Sequence, residues 1–136
     1  MTLFQVRDSS APFFSDTAEV VISIQDYNDN PPVFNPVSYA EKVREDVIPE
    51  VFLLQVTATD SDTGSNQDFK FSIFEGDPEG QFRIDPDYGK LYVHRKLDRE
   101  TRAVYLLTVR ATNTGVCRKT YFFKLTTRFI CVGLLN

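Results

Sequence analysis

Oxygen-bearing side chains stand in four short groups: Asp26-Tyr27-Asn28-Asp29-Asn30, Glu45, Asp60-Ser61-Asp62 and Asp98-Arg99-Glu100. Carboxylates, carboxamides and backbone carbonyls are what a hard cation binds, and calcium takes about six to eight of them. The first group is the densest, and Pro31 and Pro32 restrict the backbone that leaves it. So polar a run is excluded from a core. It reads as an extended linker that ends one β-unit and starts the next. Singly, each group has an ordinary explanation. Asp60-x-Asp62 ahead of Gly64 suits a turn, Asp98–Glu100 a solvated loop and Glu45 a surface charge. Their conjunction at the ends of apolar segments points to a bound divalent cation.

Other chemistries fit less well. A hydrolase would recruit Asp98 and Glu100 as acid and base, but both lie on one short stretch with no pocket-forming insertion beside it. His94 is the only histidine and follows Val93 without the context of a catalytic triad. With one histidine and no Cys-x-x-Cys pair, a zinc site is disfavoured. Cys117 and Cys131 could bridge or remain free, and two cysteines do not make a disulfide scaffold. A net charge of −4 without a basic run argues against a nucleic-acid surface. No signal peptide is recognisable at the N-terminus. The longest apolar run, 129–135, is interrupted by Gly133 and falls short of the roughly 20 residues of a membrane helix.

The elements that must position these groups are strands. With 42% apolar residues the chain can bury a core, and its apolar positions alternate rather than recur at helical spacing. Alternation predicts strands at Val20–Ile24, Tyr39–Val43, Leu54–Ala58, Phe69–Ile73, Phe82–Ile84, Leu91–Val93, Tyr105–Val109 and about 120–129. Asp85-Pro86-Asp87-Tyr88-Gly89 supplies a turn between two of them. Short strands punctuated in this way predict an antiparallel β-sandwich. Leu3-Phe4-Gln5-Val6-Arg7 is echoed by Leu106-Leu107-Thr108-Val109-Arg110 at an offset of 103 positions, a spacing suited to tandem sandwiches. Residues 1–25 then read as two closing strands of a preceding unit, poorly packed on their own. The same offset carries the linker onto Phe129-Ile130-Cys131-Val132-Gly133, which has no acid or amide, so the sequence after about Gly115 departs from the pattern.

From Asp8 to Asn113 the chain resembles the extracellular cadherin repeat, in the manner of protocadherin and Fat-like proteins. The motifs are the linker through Val33-Phe34, Val56-Thr-Ala-Thr-Asp60-Ser-Asp62-Thr-Gly64-Ser-Asn66, Phe82-Arg-Ile-Asp85 with Gly89-Lys-Leu91, Leu97-Asp-Arg-Glu100 and Tyr105-Leu-Leu-Thr-Val109. The resemblance implies an all-β, seven-stranded Greek-key sandwich of immunoglobulin-like architecture. It divides the chain into a remnant at 1–25, a calcium-binding linker at 26–32, a repeat at 33–130 with an atypical last strand, and a tail at 131–136.

It also implies calcium ligands at two places. Asn28, Asp29 and the carbonyls of Tyr27 and Asn30 come from the linker, with Asp26 matching its pattern. Asp60, Asp62 and the carbonyl of Asn66 come from the repeat, and Asn113 stands where the family usually has Asp. Glu45, Asp98 and Glu100 would form an incomplete half-site at the far end. The implied function is a calcium-binding piece of a cell-adhesion membrane protein, in which calcium stiffens the junction between repeats in support of homophilic adhesion. A non-adhesive calcium-stiffened spacer is the alternative, and a carboxylate-dependent hydrolase a remote one. The implied partners are other cadherin ectodomains at the extracellular face of the plasma membrane, with no nucleic acid and no small-molecule substrate. The membrane would be reached only through other parts of the parent protein.

Overall fold

The computed structural model describes residues 2–114 and 122–133, and of 122–125 the backbone alone. Cys117 lies outside these residues, so its pairing with Cys131 does as well. A first hairpin joins β1 (Thr2–Arg7) to β2 (Ser15–Val20), and every residue of both strands is exposed. The expected strand at Val20–Ile24 stops at Val20, which faces Thr2 at the end of β1. Ile22 and Ile24 therefore have no facing ladder, and a strand without one leaves its backbone unpaired.

After the linker come β3 (Val33–Phe34), β4 (Ser38–Arg44), β5 (Val51–Gln55) and β6 (Ala58–Thr59). They are followed by β7 (Phe69–Glu75), β8 (Phe82–Ile84), β9 (Lys90–Val93), β10 (Val104–Asn113) and β11 (Phe122–Val132). One sheet has the order β4-β11-β10-β7, with β4 parallel to β11 and the other pairs antiparallel. The opposing layer holds β5-β9-β8 and the short pair β3-β6. The nine segments amount to seven strands. β3 and β4 are two halves of one strand that changes sheets, because Pro36 has no N–H with which to continue the ladder. β5 and β6 are halves of another, separated at Val56-Thr57, whose Val56 N–H turns to the Gly89 carbonyl at 2.9 Å. The expected continuous strand from Leu54 to Ala58 is thus split.

Alternation on β10 decides what is inside. Tyr105, Leu107, Val109 and Ala111 are buried, while Val104 and Leu106 face out. Across the core Phe82 stacks on Phe129 at 5.4 Å and meets Tyr105 edge-on at 5.1 Å. Leu91, Val93 and Leu97 complete the centre. Each such side chain contributes about 1.5–3 kcal/mol by leaving water. Within the echoed segments the same pattern has opposite outcomes. Phe4 and Val6 are 55% and 70% exposed, whereas Leu107 and Val109, at the matching positions, are wholly buried. Only β10 has a second sheet across from it.

The predicted turn at 85–89 is present. The Asp85 carboxylate accepts from the N–H of Asp87 and of Tyr88, and Gly89 adopts φ +65°. A Cβ on Gly89 would overlap the Val56 carbonyl and lie 3.1 Å from the Phe71 ring. Gly89→Ala therefore combines left-handed strain with a backbone clash and should destabilise the chain by about 2 kcal/mol or more. Equilibrium urea unfolding measures this, and a change under about 0.5 kcal/mol would show that the turn yields freely.

Candidate metal centre

Three separated segments bring oxygens together at the linker end of the sandwich. The linker contributes Asn28 and Asn30. The loop after β6, closed by a 3-10 turn at Gly64–Gln67, contributes Asp60, Asp62 and Asn66. The last residue of β10 contributes Asn113. Asp60 folds its own loop, its carboxylate accepting from the Asp62 N–H at 2.9 Å. Asn28 donates from Nδ2 to the Asn66 carbonyl at 2.9 Å, which leaves its Oδ1 to accept from Asn113 Nδ2 at 2.9 Å. The same Asn113 nitrogen lies 3.1 Å from Asp60 Oδ2, 3.2 Å from the Asn30 carbonyl and 3.5 Å from the Asn66 carbonyl. Asp62 accepts from the Asn30 backbone at 3.3 Å and from Asn30 Nδ2 at 2.5 Å.

This arrangement alters one expectation. A linker so polar was excluded from the interior, yet Asn28 is 1% exposed and Pro32 is buried with it. Burial is tolerable because both ends of the Asn28 amide are hydrogen-bonded, which removes most of the cost of desolvating it. The carboxylates of Asp29, Asp60 and Asp62 stand in or beside this group and would repel one another. In the structure, amide and backbone N–H groups of Asn30, Asp62 and Asn113 point at these carboxylates and offset their repulsion.

The remaining predicted residues divide. Asp26 does not enter the cluster. Its carboxylate accepts from the Thr63 N–H at 3.0 Å and, with its carbonyl, from Asn66 Nδ2 at 3.1 Å. The Thr63 N–H, and after it the Asn66 amide, hold the Asp26 carboxyl below its ordinary pKa. Asp29 stands at the edge, tied to Asn30 Nδ2 at 2.9 Å, and the Tyr27 ring is exposed. Thr63 and the Asn66 side chain were not singled out from sequence. An Asp two to four positions from a Gly in a turn was the available signal, but their partner lies about forty positions away.

The second group forms at the opposite end. Ligand oxygens of Glu45, Asp98 and Glu100 all lie within 4.8 Å of one another. Glu45 follows β4, where its N–H donates to the Val132 carbonyl at 3.1 Å. The Asp98 loop is closed by Thr101 Oγ1 donating to Asp98 at 2.6 Å and by the Glu100 N–H at 3.0 Å. These bonds, the Thr101 hydroxyl first, lower the Asp98 pKa. The Arg99 N–H reaches Glu45 at 3.3 Å, and its guanidinium pairs with Glu100 at 2.9 Å. His94 belongs to neither group; its Nδ1 lies 2.8 Å from Glu50, which also binds Arg83.

Both donor sets suit a hard cation, having carboxylate, amide and carbonyl oxygens and no sulfur or imidazole. The linker group supplies two carboxylates with neutral oxygens, the far group three carboxylates. The oxygens around Asn113 stand 2.9–3.5 Å from its nitrogen, wider than calcium–oxygen contacts of about 2.3–2.6 Å.

A family profile described as the cadherin domain matches residues 39–126. Protocadherin Fat 4 of Mus musculus is 38% identical over 113 residues, which covers 83% of this chain and 2% of that protein. Cadherin EGF LAG seven-pass G-type receptor 2 of Homo sapiens is 46% identical over 101 residues, covering 74% of the chain and 4% of the relative. The chain thus spans a few per cent of the length of these relatives. Among solved structures, mouse Cadherin-23 EC22-24 superposes with a TM-score of 0.84 at 32% identity, covering 96% of this chain and 42% of that one.

The hydrogen bonds to Asp26 and Asp98 predict an acid limit. Both carboxyls have folded pKa values below the ordinary value of about 3.9. Their stabilisation is therefore complete above that value and is lost as pH falls through the lower folded one. Melting temperature should hold between pH 7 and 5 and fall below about pH 4, and Asp26→Asn should remove part of that fall. Equal melting at pH 5 and pH 3.5 would contradict the assignment.

Proposed function

The chain belongs to the cadherin family, and from that premise we propose that it is a calcium-stiffened ectodomain repeat of a cell-adhesion membrane protein. Cadherin repeats are non-enzymatic adhesion modules, and this chain is one of them. The observation that carries the calcium reading is the convergence of Asn28, the Asn30 carbonyl, Asp60 and the Asn66 carbonyl on the buried Asn113, with Asp62 tied beside them to Asn30.

Asn28, the Asn30 carbonyl, Asp60, Asp62, the Asn66 carbonyl and Asn113 are the ligands of the repeat side. Asp29 and the Tyr27 carbonyl face the preceding unit, and Asp26 orients the Asp60–Asn66 loop. Bound calcium supplies the positive charge that these oxygens share. The residues themselves do the mechanical work. Asp60 and Asp62 hold the loop open toward the linker, Asn28 anchors the linker to Asn66, and the two prolines limit the directions in which it can leave. Two carboxylates about 4 Å apart repel by about 1–4 kcal/mol at protein-surface screening, and coordination removes what the surrounding N–H groups leave of that repulsion. Glu45, Asp98 and Glu100 take the corresponding part toward a following repeat. The parent protein displays such repeats outside the cell, and adhesion joins copies of its ectodomain. Among the described residues no helix is long and apolar enough to cross a membrane.

Extracellular calcium modules bind at about 0.1–1 mM. In a chain extended upstream by one complete repeat, millimolar calcium should raise the melting temperature, and Asp62→Ala should abolish most of that gain. Identical melting with calcium and with chelator would rule out the ligand assignment. Beads coated with the full ectodomain should aggregate only in calcium. Dispersed beads with an intact calcium response would instead make the repeat a spacer.

A further inference from the structure

Asn113 is crowded in an uneven way. It is only 8% exposed, its Nδ2 meets four oxygens from two segments, the linker and the Asp60–Asn66 loop, and among the described residues its Oδ1 is buried without a hydrogen-bond partner. An amide nitrogen carries two hydrogens, so four oxygens must share them. The network dictates the orientation. Turned over, Oδ1 would face Asn28 Oδ1, Asp60 Oδ2 and two backbone carbonyls with no proton between them. The carboxamide thus leaves its acceptor buried in order to place its positive end among the oxygens. Leaving a buried carbonyl unsatisfied is costly, so the position of the nitrogen must contribute at least comparably.

We propose that the Asn113 side-chain amide is a resident stand-in for a cation at this junction. Its N–H groups hold the linker carbonyl of Asn30, the Asn28 amide and Asp60 together when the protein is free of calcium. A cation entering the same point must turn the amide about χ2, so that Oδ1 replaces Nδ2 among the ligands. Two consequences follow. The linker stays docked on the Asp60–Asn66 loop at low calcium, and calcium binds there more weakly because it competes with an internal donor. The second consequence rests on the calcium reading above; the first stands without it. All the groups involved lie within this chain, so its own calcium response is the measurement.

Asn113→Asp preserves shape but exchanges the donor for a carboxylate, which should repel Asp60 and attract a cation. In chelator, N113D should melt about 3–6 °C below the wild type. In millimolar calcium it should regain that loss and exceed the wild type, with an affinity by calorimetry about tenfold tighter. A purely structural Asn113 would give N113D the same deficit in both conditions, and that result overturns the proposal. So does equal melting in chelator. If wild type and variant both respond to calcium with equal gains, competition fails while the calcium reading survives. If neither responds, the calcium reading fails and competition with it. Should N113D not fold in chelator, the wild type still decides. The Asn113 side-chain NH2 protons should exchange slowly with solvent in chelator and shift when calcium is added; fast exchange in chelator overturns the proposal.

Discussion

The linker end of the sandwich depends on two buried carboxamides joined by one hydrogen bond, from Asn113 Nδ2 to Asn28 Oδ1. Asn28 and Asn113 come from segments far apart in sequence, and each would be costly to bury alone. Together they join the linker to the end of β10, and Asn28 extends the connection to the Asp60–Asn66 loop through the Asn66 carbonyl. The Asn30 and Asn66 carbonyls and the Asp60 carboxylate are placed relative to this pair. A polar core of this kind specifies geometry in a way an apolar one does not, since a hydrogen bond tolerates little displacement of its partners.

The sandwich holds the two oxygen clusters at opposite ends of its strands. β10 starts beside the Asp98–Glu100 loop and finishes at Asn113, and ten strand residues span about 30 Å. β4 runs the other way, leaving the linker and ending at Arg44, next to Glu45. The parallel pairing of β4 with β11 makes this possible, because it returns the first strand to the end opposite the linker. A tightly packed core between the two ends, from Phe34 and Phe71 to Phe82 and Phe129, resists bending and would transmit force from one to the other.

Much of this was legible in the residues. The Tyr105, Leu107 and Val109 alternation foretold the buried face of β10, and Asp85–Gly89 foretold its turn, because both depend on local periodicity and on φ preferences. Val20–Ile24 alternates equally well, yet Ile22 and Ile24 are outside any strand. A strand exists only where another one faces it, and no local pattern reports that. Val56 likewise fits its alternation and still breaks the strand, since its N–H is drawn to the Gly89 carbonyl from a distant turn.

By itself the sequence determined the kinds of donor, their grouping near strand ends and the family to which they belong. These are properties of residue type and spacing. Only the tertiary structure decided which donors share a point. It separated Asp26 and Asp29 from Asp60, buried Asn28 and turned the Asn113 amide nitrogen toward four oxygens. The physical reason is that these choices are made by hydrogen-bond partners some 32 to 85 positions away. Where a side chain points depends on whether such a partner arrives, and that is settled when the two sheets close.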